Sequence, residues 1–156
     1  MIVHAHTHSD GAAGWSAWAT ATLAAAGHRA GAARLSVVEL LARKDGCLSA
    51  LEIGDELRSH DARVGLASVY RALELLHELG LVTRVDVGDG TARFERAHRD
   101  GEHHHHVVCR GCGAVSAFDH APLERAIEQL SASLEYVVDG HDVVLHGRCP
   151  RCQEAA

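Results

Sequence analysis

The stretch that decides the fold is "VGLASVYRALELLHELGLVTRVDVGDGTARFER", Val64 to Arg96. Its first half has a helical period: Val69, Leu73, Leu76 and Leu79 recur near every third or fourth residue, and Gly80 closes the run. After Gly80 the period changes. "LVTRVDV" and "TARFER" read as two strands joined at Gly88, Asp89 and Gly90, so a β-hairpin follows the helix directly.

Upstream, three more helices are expected. "SAWATATLAAAG" forms a short one ending at Gly27, after a loose polar tail over residues 1–14. "ARLSVVELLARKDG" places Leu35, Val38, Leu41 and Ala42 on one face and closes at Gly46. "CLSALEIGDELRSH" begins a third at Ser49, with Glu52 completing a capping box. Short helices followed by a hairpin make a winged helix-turn-helix, here over residues 15–96, although fold alone does not fix function.

"AHRDGE", residues 97–102, is a polar, turn-rich hinge. Beyond it, residues 103–156 read as strand, strand, helix ("APLERAIEQLSAS"), strand ("LEYVVDG") and strand ("HDVVLHGRC"). The fold class is therefore α+β, a winged helix followed by a small α/β domain. A unit of this size needs a metal staple or a partner subunit.

Composition sets limits. The 156 residues are 47% hydrophobic but only 4% aromatic, so Ala, Leu and Val must fill the core. No apolar run reaches the roughly 18 residues of a membrane span, and no secretory signal is visible, so a cytoplasmic protein is expected. A net charge of −6 opposes nucleic-acid binding, but the 14 histidines recover positive charge when they hold metal.

The five cysteines sort by spacing. Cys109-Arg-Gly-Cys112 and Cys149-Pro-Arg-Cys152 are paired CxxC knuckles, and Cys47 stands apart. Zinc takes four tetrahedral donors, and a two-residue gap lets both thiolates of a turn face one ion. The expectation is a closed structural zinc site, without an open position for catalysis. An odd cysteine count without a signal argues against a disulfide framework.

Between hinge and first knuckle lies "HHHH", His103 to His106. On a strand these alternate, His103 and His105 to one face, His104 and His106 to the other, which can feed two separate metal sites. Glu124 and His141 are candidate partners for the first face; Cys47, Glu95 and His98 are candidates for the second. The leading His4, His6 and His8 have no assigned role.

The segments "VGLASVYRALELLHELGLVTRVD", "HHHHVVCRGCG" and "HGRCPRC" closely resemble the ferric-uptake-regulator family of metal-sensing repressors, over about residues 20 to 152, and look most like its zinc-uptake branch. The resemblance implies a homodimer, a C-terminal dimerisation domain, and a recognition helix carrying "ASVYRAL". Ser68, Tyr70 and Arg71 then become DNA contacts, with Arg29 and Arg34 near the backbone. It implies a dimerisation-domain metal site of His103, His105, Glu124 and His141. It also implies a sensory hinge site using His104 and His106 with Cys47 and either His98, as in zinc-type members, or Glu95, as in iron-type members. His98 is favoured and Glu95 stays open as the alternative.

The expected function is zinc-responsive repression of metal-uptake genes from an A/T-rich palindromic operator. Fe2+ or Mn2+ at the sensory site is the neighbouring alternative, an iron or peroxide sensor. A storage or delivery protein without DNA binding is the reading from a different class. No positioned general base accompanies an open metal, so an enzyme is not expected.

Overall fold

The structure, a computed structural model, describes residues 12–29, 31–60, 64–97 and 104–154. The chain divides into two compact units, Met1–Gly101 and Glu102–Ala156.

In the first unit, the decisive helix is α4, Leu66–Glu78, named with α1 (Ala12–Ala25), α2 (Ala32–Arg43) and α3 (Ala50–Ser59) in chain order. Val69, Ala72, Leu73 and Leu76 form its buried face. Leu79, expected in that face, is the half-buried C-cap instead, because the helix stops there. Gly80 adopts φ +67, a conformation cheap only for glycine. Its N–H reaches the His77 carbonyl at 2.9 Å while Leu81 N–H reaches Leu76 at 2.8 Å, a Schellman closure that buries Leu81.

Helix α2 buries Val37, Val38, Leu40, Leu41 and Ala42 and leaves Leu35 half-buried. That is wider than one stripe, because α2 packs against α1, α3 and α4. It ends at Arg43, with Lys44 already extended, short of the expected stop at Gly46. Helix α1 begins at Ala12, inside the segment read as tail, and sets Trp15, Ala19 and Leu23 into the core one turn apart.

The hairpin is β2 (Val82–Asp86) and β3 (Ala92–Arg96), paired antiparallel with Arg84 opposite Phe94. A third strand, β1 (Leu48–Ser49), joins the far side of β3, giving the order β1-β3-β2. Two residues are too few to announce themselves by alternation. Ser49 ends β1 and also caps α3: its hydroxyl accepts from Glu52 N–H at 3.2 Å, and Glu52 accepts Ser49 N–H at 2.7 Å. Ser49→Ala should cost about 1 kcal/mol of stability in chemical denaturation; no change would mean that the cap is idle.

The second unit contains β4 (His105–Cys109), β5 (Val115–Phe118), α5 (Ala121–Ser133), β6 (Val144–Gly147) and the short α6 (Pro150–Glu154). Its sheet runs β5-β4-β6, with β4/β5 antiparallel and β4/β6 parallel. "LEYVVDG" is not a strand. Glu135 turns the chain at φ +55 after α5, and Tyr136, Val137 and Val138 are exposed. Their β propensity finds no neighbouring strand among the described residues, and an extended segment without ladder partners is not stabilised. α5 itself has no buried residue.

Candidate metal centres and nucleic-acid face

The four paired cysteines converge. Cys109 ends β4, Cys112 lies in the following turn, and Cys149 and Cys152 straddle the start of α6, with Pro150 as its first residue. Their sulfurs all lie within 4.8 Å of one another, and Cys112 Sγ is 3.8 Å from Cys149 Sγ. That separation is too long for a disulfide and matches the edge, about 3.8 Å, of a tetrahedron with Zn–S bonds near 2.3 Å.

Backbone donors favour a thiolate here. Cys149 N–H points at Cys109 Sγ at 3.2 Å, and with the Cys112 amide it lowers the Cys109 thiol to about 6. Cys152 moves the opposite way, to about 12, through hydrogen bonding to the Cys149, Cys112 and Cys109 sulfurs. Neighbouring thiolates oppose a further negative charge, and a divalent cation removes that opposition. Gly111 lets the knuckle close: a Cβ there would sit 2.9 Å from both Cβ and Sγ of Cys152. Four donors, fitting separations and N–H support suit a structural zinc ion.

A second cluster lies in the same unit. His105, 1% exposed, approaches Glu124 Oε1 at 2.5 Å through Nε2; His141 Nε2 lies 3.1 Å from Glu124 Oε2. The three donor atoms fall within 4.8 Å of one another. The bridge holds α5 and the segment before β6 to β4, and the Phe118 ring lies tilted against the His105 ring at 5.5 Å. Three of the four expected ligands are thus brought together and fit a metal ion; His103 lies outside the described residues.

Alternation along β4 puts His106, 5% exposed, on the face opposite His105, with half-buried His104 just before the strand. In the first unit, Cys47 immediately precedes β1 and Glu95 lies in β3, both buried. Leu48 pairs with Phe94 and Ser49 with Arg93, so one further rung sets Cys47 opposite Glu95. Burial, and then the Glu95 carboxylate, push the Cys47 thiol up to about 11 while Arg93 pulls it down. His98, and the terminal His4, His6 and His8, lie outside the described residues.

On α4, the side away from the core presents Tyr70, 44% exposed, and Arg71, with Ser68 half-buried near the N-terminus. Arg29 is exposed before α2. Arg34 is half-buried and donates to the Arg29 carbonyl at 2.6 Å, holding that turn. Several other cations are engaged within the unit: Lys44 by Glu56, Arg58 by Asp55, and Arg96 by Asp45. Arg43 and Arg84 are exposed as Arg29 and Arg71 are, so the unit's basic charge open to a polyanion is sparse and spread over the approach and end of α2, α4 and the hairpin.

Sequence reading missed the engagement of Lys44, Arg58 and Arg96, and that of Arg93 with them. Arg93, only 12% exposed, reaches Glu52 Oε2 at 3.0 Å and Asp89 Oδ2 at 3.4 Å. The capping box signalled Glu52, but nothing local marks a pair 41 residues apart.

This arrangement, a helix-turn-helix with a wing followed by a four-thiolate α/β unit, has counterparts among known proteins. The sequence model of the ferric uptake regulator family matches residues 25–146. The chain belongs to that family. The ferric uptake regulation protein of Bacillus subtilis (strain 168) is 36% identical over 114 residues, which is 72% of this chain and 76% of that protein. The Vibrio cholerae ferric uptake regulator, a solved structure, matches 83% of this chain and 98% of its own at 30% identity and a TM-score of 0.74. A zinc uptake regulator solved in complex with zinc and DNA matches 92% of this chain and 96% of its own at 26% identity and a TM-score of 0.61. This ferric-uptake-type regulator is therefore a metal-responsive, DNA-binding transcriptional regulator.

Proposed function

We propose that this regulator is a homodimeric, zinc-responsive repressor of metal-uptake genes. The observation that carries the DNA-binding part is the division of α4. One face is locked in the core by Val69, Leu73 and Leu76 while Tyr70 and Arg71 face outward. Arg71 suits guanine or phosphate, and Tyr70 a thymine methyl or phosphate. Ser68, Arg29 and Arg34 act beside them, Arg34 by fixing the turn. The likeness to a zinc- and DNA-bound uptake regulator supports this reading.

The sensory ligands are His104 and His106 with Cys47, completed by His98 in a zinc set or Glu95 in an oxygen-rich one. A cysteine with imidazoles favours zinc; Glu95 as ligand favours Fe2+ or Mn2+ and the iron- or peroxide-sensing alternative. The site of His105, Glu124 and His141, with His103, is a second metal position. Metal here supplies charge and a fixed ligand geometry, not a reaction. Exposed Leu130, Leu134, Tyr136, Val137, Val138 and Leu145 offer apolar surface to a second copy. A dimer spaces two recognition helices for a palindromic, A/T-rich operator. A bias of about 3 kcal/mol between bound and free shapes changes operator occupancy about a hundredfold.

The test is capture of genomic fragments by the purified protein, at one salt concentration, in chelator and in buffered free zinc. Specific fragments recovered only with zinc are expected. Recovery with iron or manganese alone would change the metal and keep the regulator. No enrichment under any metal, with the structural zinc in place, would overturn repression and leave storage or delivery.

A further inference from the structure

Arg93 stands where three local structures meet. It lies in β3, opposite Ser49 of β1. One arm of its guanidinium holds Glu52, whose Oε2 also accepts the Ser49 N–H at 2.7 Å and the Ser49 hydroxyl at 2.8 Å. The other arm reaches Asp89, whose Oδ1 accepts Thr91 N–H at 2.8 Å in the wing turn. A guanidinium this enclosed is costly unless carboxylates meet its donors, and here Glu52 and Asp89 both do so. Its planar fork can engage two separate carboxylates at once, which a lysine ammonium does less well.

The clasp adjoins the candidate sensory residues on both strands. Cys47 is two residues before Ser49, and Glu95 two residues after Arg93, so the pair occupies the same-face rung beside the clasp. The electrostatics agree: Glu95, Arg93 and Glu52 all act on the Cys47 thiol. Burial raises Glu52, but Ser49 and then Arg93 outweigh it and hold the carboxyl below its ordinary value, as a paired carboxylate. On the β2 side of the wing turn, Asp86 Oδ1 accepts the Gly88 N–H at 2.8 Å; on the β3 side the turn is capped by Asp89. Residues Gly88 to Thr91 are exposed, and Gly88 and Gly90 both sit at φ +77. Such a turn belongs to the low-stability end of the fold.

We propose that Arg93 is a positioning residue that carries occupancy of the Cys47–Glu95 rung to the wing turn. Metal held by Cys47 or by Glu95 steadies that rung, Arg93 is then held in one seat, and Asp89 follows with the turn it caps. Both residues at the ends of this path lie in the first unit, so the link is built into the winged helix. The inference rests on the reading of Cys47 or Glu95 as sensory ligands, and it adds a route by which the ion reaches the part of the winged helix farthest along the hairpin.

Amide hydrogen exchange on the full-length protein tests it without DNA, comparing buffered free Zn2+ with no added Zn2+ while the four-cysteine zinc is retained. In the wild type, Zn2+ should slow exchange at least tenfold both at residues 47–49 and 92–96 and at Thr91. Asp89→Asn keeps an oxygen to accept the Thr91 N–H and leaves the Arg93–Glu52 pair and the α3 cap intact. In it, protection at residues 47–49 and 92–96 should persist while the effect at Thr91 falls below twofold. Arg93→Lys should fold and bind Zn2+ yet lose the Thr91 response in the same way. Equal Thr91 protection in wild type and both variants would overturn the clasp alone. Loss of Zn2+ protection at residues 47–49 and 92–96 in the wild type would overturn it together with the ligand assignment. Zinc-dependent operator capture by the wild type is read separately, so the regulator stands or falls on its own result.

Discussion

Cys149→Ser, or zinc removal by a strong chelator, should unfold the second unit and leave the first folded. The asymmetry follows from where apolar burial lies. The first unit has a continuous core running from Trp15 through Leu23, Leu41, Ile53 and Leu73 to Phe94. In the second, the buried residues among those described are His105, His106, Val108 and Cys109, and α5 contributes none. A unit so poor in core depends on its ligands. A structural zinc contributes an apparent 10–16 kcal/mol in small zinc-finger peptides, on the order of a whole domain's stability, so its loss is not a modest perturbation.

Both tryptophans, Trp15 and Trp18, are in α1 and report on the first unit, while Tyr136 is in the second. After chelation the Trp emission should be unchanged, while far-ultraviolet circular dichroism falls and amides of residues 105–118 lose their protection. Retention of that protection with zinc shown by elemental analysis to be gone would refute the staple. Cys47→Ser is the control: it removes a thiol outside the cluster and should not release the structural ion.

Arg71→Ala should lower specific operator affinity by roughly 5- to 150-fold, the about 1–3 kcal/mol of a well-placed base contact. Arg71 is exposed on α4, so the fold should keep its denaturation midpoint within error. The pattern of loss separates two roles. A guanine contact relaxes preference at one operator position and barely changes binding to unrelated DNA. A phosphate contact weakens all sequences alike and reduces the slope of log affinity against log salt by about one. Fluorescence anisotropy with operator and scrambled duplexes, at several salt concentrations, measures both. Wild-type affinity and selectivity in Arg71→Ala would remove Arg71 from the DNA contacts of α4.

The readable parts of this protein were those written in short-range chemistry. A helical period with a glycine stop marked α4, Ser49 and Glu52 three apart marked the start of α3, and paired CxxC spacings marked the four-cysteine cluster. Each of these is a local rule whose partners lie within a few residues, or whose ligand set an ion completes. The same reasoning went wrong where the outcome depended on neighbours. "LEYVVDG" has the composition of a strand, yet a strand needs an edge to pair with, and Glu135 turns the chain instead. β1 is too short to show alternation and exists because β3 has a side free to receive it.

The candidate sites divide along the same line. Donor types, their order and the strand alternation of the histidines are properties of the sequence by itself, and so are the helix-turn-helix and its wing. That His105, Glu124 and His141 meet within 4.8 Å, that Cys47 falls opposite Glu95, and that Arg93 joins an α3 cap to a wing turn were decided by the tertiary structure. The physical reason is that these contacts span many residues of intervening chain. Their existence depends on which strands pair and in what register, and that register is selected by burial of the whole core rather than by any one segment.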